Sequence, residues 1–115
     1  MAKTRKCTEG LPAPMMDILR RLGGNLAVAR KRRRMRQKDA AELAGCTRQT
    51  IARIEAGDPA VSMGAWMNLV WVLQLSGEFI GLCSPERDVL GLGLDAESRA
   101  RLQRVREKRE KELDF

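Results

Sequence analysis

From Met15 to Leu82 apolar residues recur at the three- and four-residue spacing of a helix, and no stretch alternates with period two. A chain patterned this way can bury its apolar side chains only by laying helix on helix. The expected fold is therefore all-α. With 115 residues and 43% hydrophobic content there is material for one small domain with extensions. Residues 1–21 read as an N-terminal arm or short helix, 22–83 as the domain, and 84–115 as a C-terminal extension. No internal repeat is visible.

Five helices are expected in the central part. "MMDILRRL" places Met15, Ile18, Leu19 and Leu22 on one face before Gly23-Gly24, either as a short extra helix or running into the next one. "NLAVARKRRRM" has Asn25 as its N-cap and turns Leu26, Val28, Ala29 and Met35 towards a core. "QKDAAELA" is short and Ala-rich, and Gly45 suits a reversal after it. "TRQTIARIEA" begins at the capping residue Thr47 and stops at Gly57. "SMGAWMNLVWVLQL" begins at Ser62, and "SGEFIGL" follows with Ser76 as cap.

Charge points to the partner. There are 22 Lys+Arg against 15 Asp+Glu, a net charge of +7, which favours a polyanion. Enzyme chemistry finds little support. His and Tyr are absent, the one GxG (Gly91-Leu92-Gly93) follows no strand pattern, and Asp95 with Glu97 reads as a helix start. A non-enzymatic protein without cofactor or metal is expected. Cys7, Cys46 and Cys83 form no CxxC pair, which suits a reducing cytoplasm better than a disulfide or zinc scaffold. The first residues lack the apolar core of a signal peptide, and no run reaches the length of a membrane span, so no membrane role is expected.

The stretch "RQKDAAELAGCTRQTIARIEAG", Arg36 to Gly57, sets two short helical patterns against one tight turn. That spacing fits a helix-turn-helix, whose second helix enters the DNA major groove. Ala41 is small where the helices cross, and Ile51 and Ile54 face inward. Arg48, Gln49, Ala52 and Arg53 are left on the outer face, with Thr47 and Thr50 near the helix start. Arg can donate two hydrogen bonds to guanine O6 and N7, and Gln can pair similarly with adenine. An ordinary polar surface helix would carry the same side chains, so these residues alone do not decide the matter.

The segment Leu26 to Leu75 resembles the Cro/phage-repressor (XRE) type of helix-turn-helix regulators. Gln37 opens the first motif helix, Ala41 is its small residue, Gly45 is the turn glycine, and "IARIEAG" closes the recognition helix. The resemblance implies an ion pair between Arg30 and Glu55, a phosphate contact from Gln37, and base reading by Arg48, Gln49 and Arg53. It also implies a double-stranded operator with an inverted repeat. Two positions depart from the pattern. Arg36 stands where a capping Ser or Thr is usual, losing the cap but offering a phosphate ligand. Ala40 replaces a customary Leu, while Leu43 takes a usually polar place. "GDPAVSMGAWMNLVWVLQL" further resembles HipB-like antitoxins, dimeric autorepressors of operons that encode HipA-like kinase toxins.

Three features remain. In "RKRRRMR", Arg30 to Arg36, six basic residues spread around a helix axis, with Arg33, Arg34 and Arg36 best placed for phosphates. Met63, Trp66, Leu69, Val70 and Leu73 form a core stripe, and Met67, Trp71 and Val72 are apolar surplus on another side. That surplus suits a dimer or partner surface, with an enlarged core under arm or tail as the alternative. The charged tail from Asp95 to Phe115 reads as a solvated helix or frayed extension. Its i,i+4 pairs Glu97–Arg101 and Glu107–Lys111 are worth ~0.3 kcal/mol each, and its terminal Phe115 is a candidate partner contact. The functional expectation is a dimeric DNA-binding repressor in the bacterial cytoplasm, and an antitoxin paired with a HipA-like kinase. The alternatives are a free-standing or phage-type repressor, and a protein-interaction module that neutralises a partner.

Overall fold

The computed structural model of the chain describes residues 10–113, and among them every regular element is helical. In order these are α1 (Ala13–Arg32), α2 (Gln37–Ala44), α3 (Arg48–Glu55), α4 (Met63–Val72) and α5 (Val89–Leu113), with 3-10 turns at Ser76–Phe79 and Pro85–Arg87. The chain divides into two compact units at Gly77–Glu78. Phe115 and Cys7 lie outside the described residues.

In the first unit α2 packs on α3 and α4, and α3 also packs on α1. The core holds Leu26, Ala29, Ala40, Ala41, Ile51, Ile54, Trp66, Leu69, Val70 and Leu73. Ala40 is fully buried, so the small side chain in a customary Leu position lets α2 sit close to its neighbours. Each wholly buried Leu, Ile or Val contributes about 1.5–3 kcal/mol by leaving water.

The sequence left open whether α1 breaks at Gly23-Gly24; it is one helix of 20 residues. Two glycines weaken a helix by ~1 kcal/mol each, but Gly23 is needed for contact. A Cβ there would collide with the Ile54 carbonyl oxygen and stand 2.8 Å from that of Glu55. The backbone of α1 therefore lies directly on the end of α3. Asn25 is consequently mid-helix and caps nothing. The cap position is Pro12, with Pro14 in the first turn, where a missing N–H costs nothing.

Four helix ends share one device. At α1, α2, α3 and α4 the chain turns through a left-handed residue: Arg34 (φ 55°), Gly45 (φ 70°), Gly57 (φ 79°) and Gln74 (φ 60°). Paired hydrogen bonds back into each helix close the turn, for example Gly57 N–H to Ile54 C=O at 2.9 Å and Asp58 N–H to Arg53 C=O at 3.0 Å. Gly57 is doubly constrained, because a Cβ would also stand 2.6 Å from the Arg20 Cα.

Some expected core residues are not core. Val28 and Met63 are exposed, as are Met15 and Ile18. The three-residue phase of α1 turns Val28 outward when Leu26 and Ala29 face in, and Met63 sits in the first turn of α4, before the helix reaches the core. Met35, in the loop after α1, is half-buried. "SGEFIGL" yields only the 3-10 turn Ser76–Phe79.

The second unit contains α5. Its N-cap is Asp88 rather than Asp95: Gly91 N–H donates to Asp88 Oδ1 at 2.9 Å, so the helix starts earlier than the charged tail suggested, at Val89. No residue from 78 to 113 is buried. The anticipated Glu–Arg and Glu–Lys pairs do not form among the described residues, and Glu107 instead accepts from Gln103 at 3.2 Å.

Candidate nucleic-acid interface

Two eight-residue helices, α2 and α3, are joined by Gly45, Cys46 and Thr47. Thr47 caps α3, its Oγ1 accepting from Thr50 N–H at 3.1 Å, and the two hydroxyls lie 3.0 Å apart. The cap at α2 works the other way round. Arg36 has no side-chain acceptor, but its backbone N–H donates to Asp39 Oδ2 at 2.9 Å and its guanidinium donates to both Asp39 oxygens at 3.2 Å. The Arg36 hydrogen bonds lower the Asp39 pKa and raise that of Arg36. Asp39 thus supplies half of the capping the sequence seemed to have lost, at the cost of tying down part of Arg36.

The inner face of α3 is Ile51 and Ile54, both fully buried. Arg48, Gln49 and Arg53 are exposed, and Ala52 and Thr50 are half-buried. A chain of polar contacts fixes this helix to the scaffold. Arg30, 7% exposed, donates from Nε to Glu55 Oε2 at 2.7 Å and from Nη2 to Glu55 Oε1 at 3.0 Å. Its Nη1 donates to the Met35 carbonyl at 2.7 Å, and the Glu55 hydrogen bond raises its pKa further. Gln37 Nε2 donates to Glu55 Oε1 at 3.1 Å, and Gln37 Oε1 accepts from Arg48 Nη1 at 3.2 Å. The pair implied by the resemblance therefore forms, and it extends through Gln37 to the outward face. Arg53 donates from Nε to Asp58 Oδ2 at 2.8 Å; Gln49 has no hydrogen-bonding partner among the described residues.

The basic run divides as the helical geometry requires. Arg30 turns inward, while Lys31, Arg32, Arg33, Arg34 and Arg36 are exposed. Arg33 Nη1 returns to the Ala29 carbonyl at 2.9 Å, closing the end of α1. Arg34 sits at the left-handed position, with its side chain in solvent.

On another side, Trp71 is 72% exposed and Leu43 is 65% exposed. With Val72, Gln74 and Ser76 they line an open groove of about 480 Å³. Val72 and Met67 are half-buried. Leu43 was visible in the sequence only as an apolar residue in a polar place; its position beside Trp71 accounts for it. Asp39 and Asp58 also escaped the sequence reading, although each follows a local rule, a carboxylate three residues past a cap position and a carboxylate directly after a helix-ending glycine.

A short capped helix held by its apolar face, with a preceding helix crossing it and its long polar side chains turned to solvent, defines the helix-turn-helix class of DNA-binding domain. The family model described as "Helix-turn-helix domain" matches residues 21–79, just over half the chain, and the chain belongs to that family. Membership implies a DNA-binding regulator, in a family typically without enzymatic activity. No curated protein matches the chain. Among the described residues no helix is long and apolar enough to cross a membrane.

Proposed function

We propose that the protein is a sequence-specific transcriptional repressor that binds an inverted-repeat operator as a twofold dimer, with α3 in the major groove. The observation that carries this reading is the exposure of Arg48, Gln49 and Arg53 on a helix whose other face and both ends are pinned. Arg48, Gln49 and Arg53 read base edges, with Thr47 and Thr50 at the groove wall. Gln37, Arg34 and Arg36 take backbone phosphates. Recognition helices in such a dimer lie ~34 Å apart, one turn of DNA. Replacing Arg48 or Gln49 with Ala should weaken operator binding by ~1–3 kcal/mol and relax base preference. Fluorescence anisotropy against operator and random duplexes is the test. Equal losses on both would assign these side chains to the backbone and remove the claim of base reading.

A second, narrower reading makes this repressor the antitoxin of a HipA-like kinase toxin. It is supported by the resemblance of "GDPAVSMGAWMNLVWVLQL" to HipB-like antitoxins and by the apolar groove at Leu43, Trp71 and Val72 on that same segment. Met67 and the sequence-terminal Phe115 are further candidate contacts. Co-expression with the product of the adjacent gene, followed by co-purification and a growth assay, tests it. If that product is neither kinase-like nor retained, the plain repressor reading stands alone.

A further inference from the structure

Arg53 lies in the last turn of α3, which ends at Glu55, and the chain then reverses through Gly57. The turn is closed by Gly57 N–H to Ile54 C=O at 2.9 Å and Asp58 N–H to Arg53 C=O at 3.0 Å. This geometry returns Asp58 alongside the residue whose carbonyl it bonds. Asp58 is itself pinned: its Oδ1 accepts from Ala60 N–H at 2.8 Å, leaving Oδ2 to accept from Arg53 Nε at 2.8 Å. Those two bonds, the Ala60 amide first and Arg53 second, hold its pKa below the ordinary 3.8. Only Nε of Arg53 is used. Nη1 and Nη2 have no partner among the described residues, and the side chain is 47% exposed.

A lone Arg on a surface helix samples many rotamers, and ordering it on binding costs side-chain entropy. An Arg held at Nε by a carboxylate keeps its guanidinium plane fixed, with two Nη groups projecting together. That paired donor edge matches guanine, which presents O6 and N7 side by side in the major groove. Phosphates are less well served, because the Asp58 carboxylate repels them from the same place.

We infer that Asp58 is a positioning residue for base recognition, holding Arg53 by Nε so that its two Nη groups meet the O6 and N7 of one operator guanine. The inference rests on the reading that α3 enters the major groove. Asp58 contributes negative charge to an otherwise basic face, so its presence raises discrimination while lowering affinity for DNA in general.

The test starts by selecting preferred duplexes from a random pool with the full chain. Arg53→Ala then locates the base pair whose preference disappears. Asp58→Asn removes the charge but keeps an oxygen able to accept from Ala60 N–H, so the turn should persist, and a thermal melt checks that it does. At the base pair located by Arg53→Ala, Asp58→Asn should reduce discrimination for guanine by about tenfold, within the range of one bidentate contact. Binding to random duplex should stay the same or tighten. Arg53→Lys, with no paired donor edge, should lose the same preference, and so should a duplex carrying 7-deazaguanine there, which lacks N7. A variant Asp58→Asn that loses operator and random DNA by one common factor, or keeps its guanine preference, overturns the role of Asp58. If Arg53→Ala changes no base preference at all, the reading of α3 as the base-recognition helix fails with it.

Discussion

Replacing Glu55 with Ala should be the most damaging single change on the polar side of this domain. Its carboxylate is 8% exposed and accepts from Arg30 twice, at 2.7 and 3.0 Å, and from Gln37 at 3.1 Å. Removing it leaves the Arg30 guanidinium 9% exposed at the side chain, with only the Met35 carbonyl as acceptor. Breaking a buried pair from one side costs about 3–5 kcal/mol, because the remaining charge has lost its partner but not its burial. A small domain has only about 5–15 kcal/mol of stability in total. At about 4–8 °C per kcal/mol for a domain of this size, the Tm should fall by roughly 12–40 °C. The pair is not expected to be worth that much in net terms. The double variant Arg30→Met/Glu55→Leu removes both charges and should recover most of the loss. Thermal and urea melts followed by helical circular dichroism measure all three variants. A loss under ~1 kcal/mol in Glu55→Ala, or a double variant as unstable as the single, would falsify the account of a desolvated pair.

Arg34→Gly should stabilise the fold by ~1 kcal/mol, since φ 55° strains any residue with a Cβ. It should also weaken binding to all DNA and lower the salt slope by ~1 if Arg34 contacts phosphate; melts and salt titrations should therefore move in opposite directions. Trp71→Glu should shift the sedimentation of the protein towards monomer, and a wild type monomeric at high concentration removes the dimer. Asp39 and Asp58 have pKa values lowered in the fold, so their contributions are complete above the ordinary 3.8 and vanish as pH falls through the folded values. Carboxyl carbon NMR titrations should give midpoints below 3.8 for both, and a midpoint at or above it contradicts the ion pairs with Arg36 and Arg53.

The parts legible in the sequence are those where a local rule and the tertiary structure agree. Thr47 and Ser62 cap their helices, and Ile51, Ile54, Leu69, Val70 and Leu73 fill the core that their spacing assigned. Arg30 finds Glu55. The misreadings come where a contact distant in sequence decides. Gly23 left the continuity of α1 open because the carbonyls of Ile54 and Glu55 that require a glycine there lie far along the chain. Arg34 and Gln74 close their helices in a conformation that normally asks for glycine, so nothing in the residue type announces the turn. Met63 satisfies the stripe of α4 by angle but not by depth. Asp88 was passed over because the apolar residues after it, Val89 to Leu94, read as connecting chain rather than as the opening of a helix with no buried side.

Within the eight residues of α3, some side chains hold the helix to the interior and others face outward. Ile51, Ile54 and Glu55 are anchored in the interior and cannot vary independently of it. Gln49 is exposed and makes no hydrogen bond among the described residues, and Arg48 bonds only to the side chain of Gln37 on α2. Drift at these two outward sites is therefore nearly invisible to folding, while drift at the anchors is lethal to it. With Arg48 and Gln49 in the proposed role of base readers, a lineage carrying this domain could wander through many target sequences without crossing an unstable intermediate, leaving the scaffold untouched.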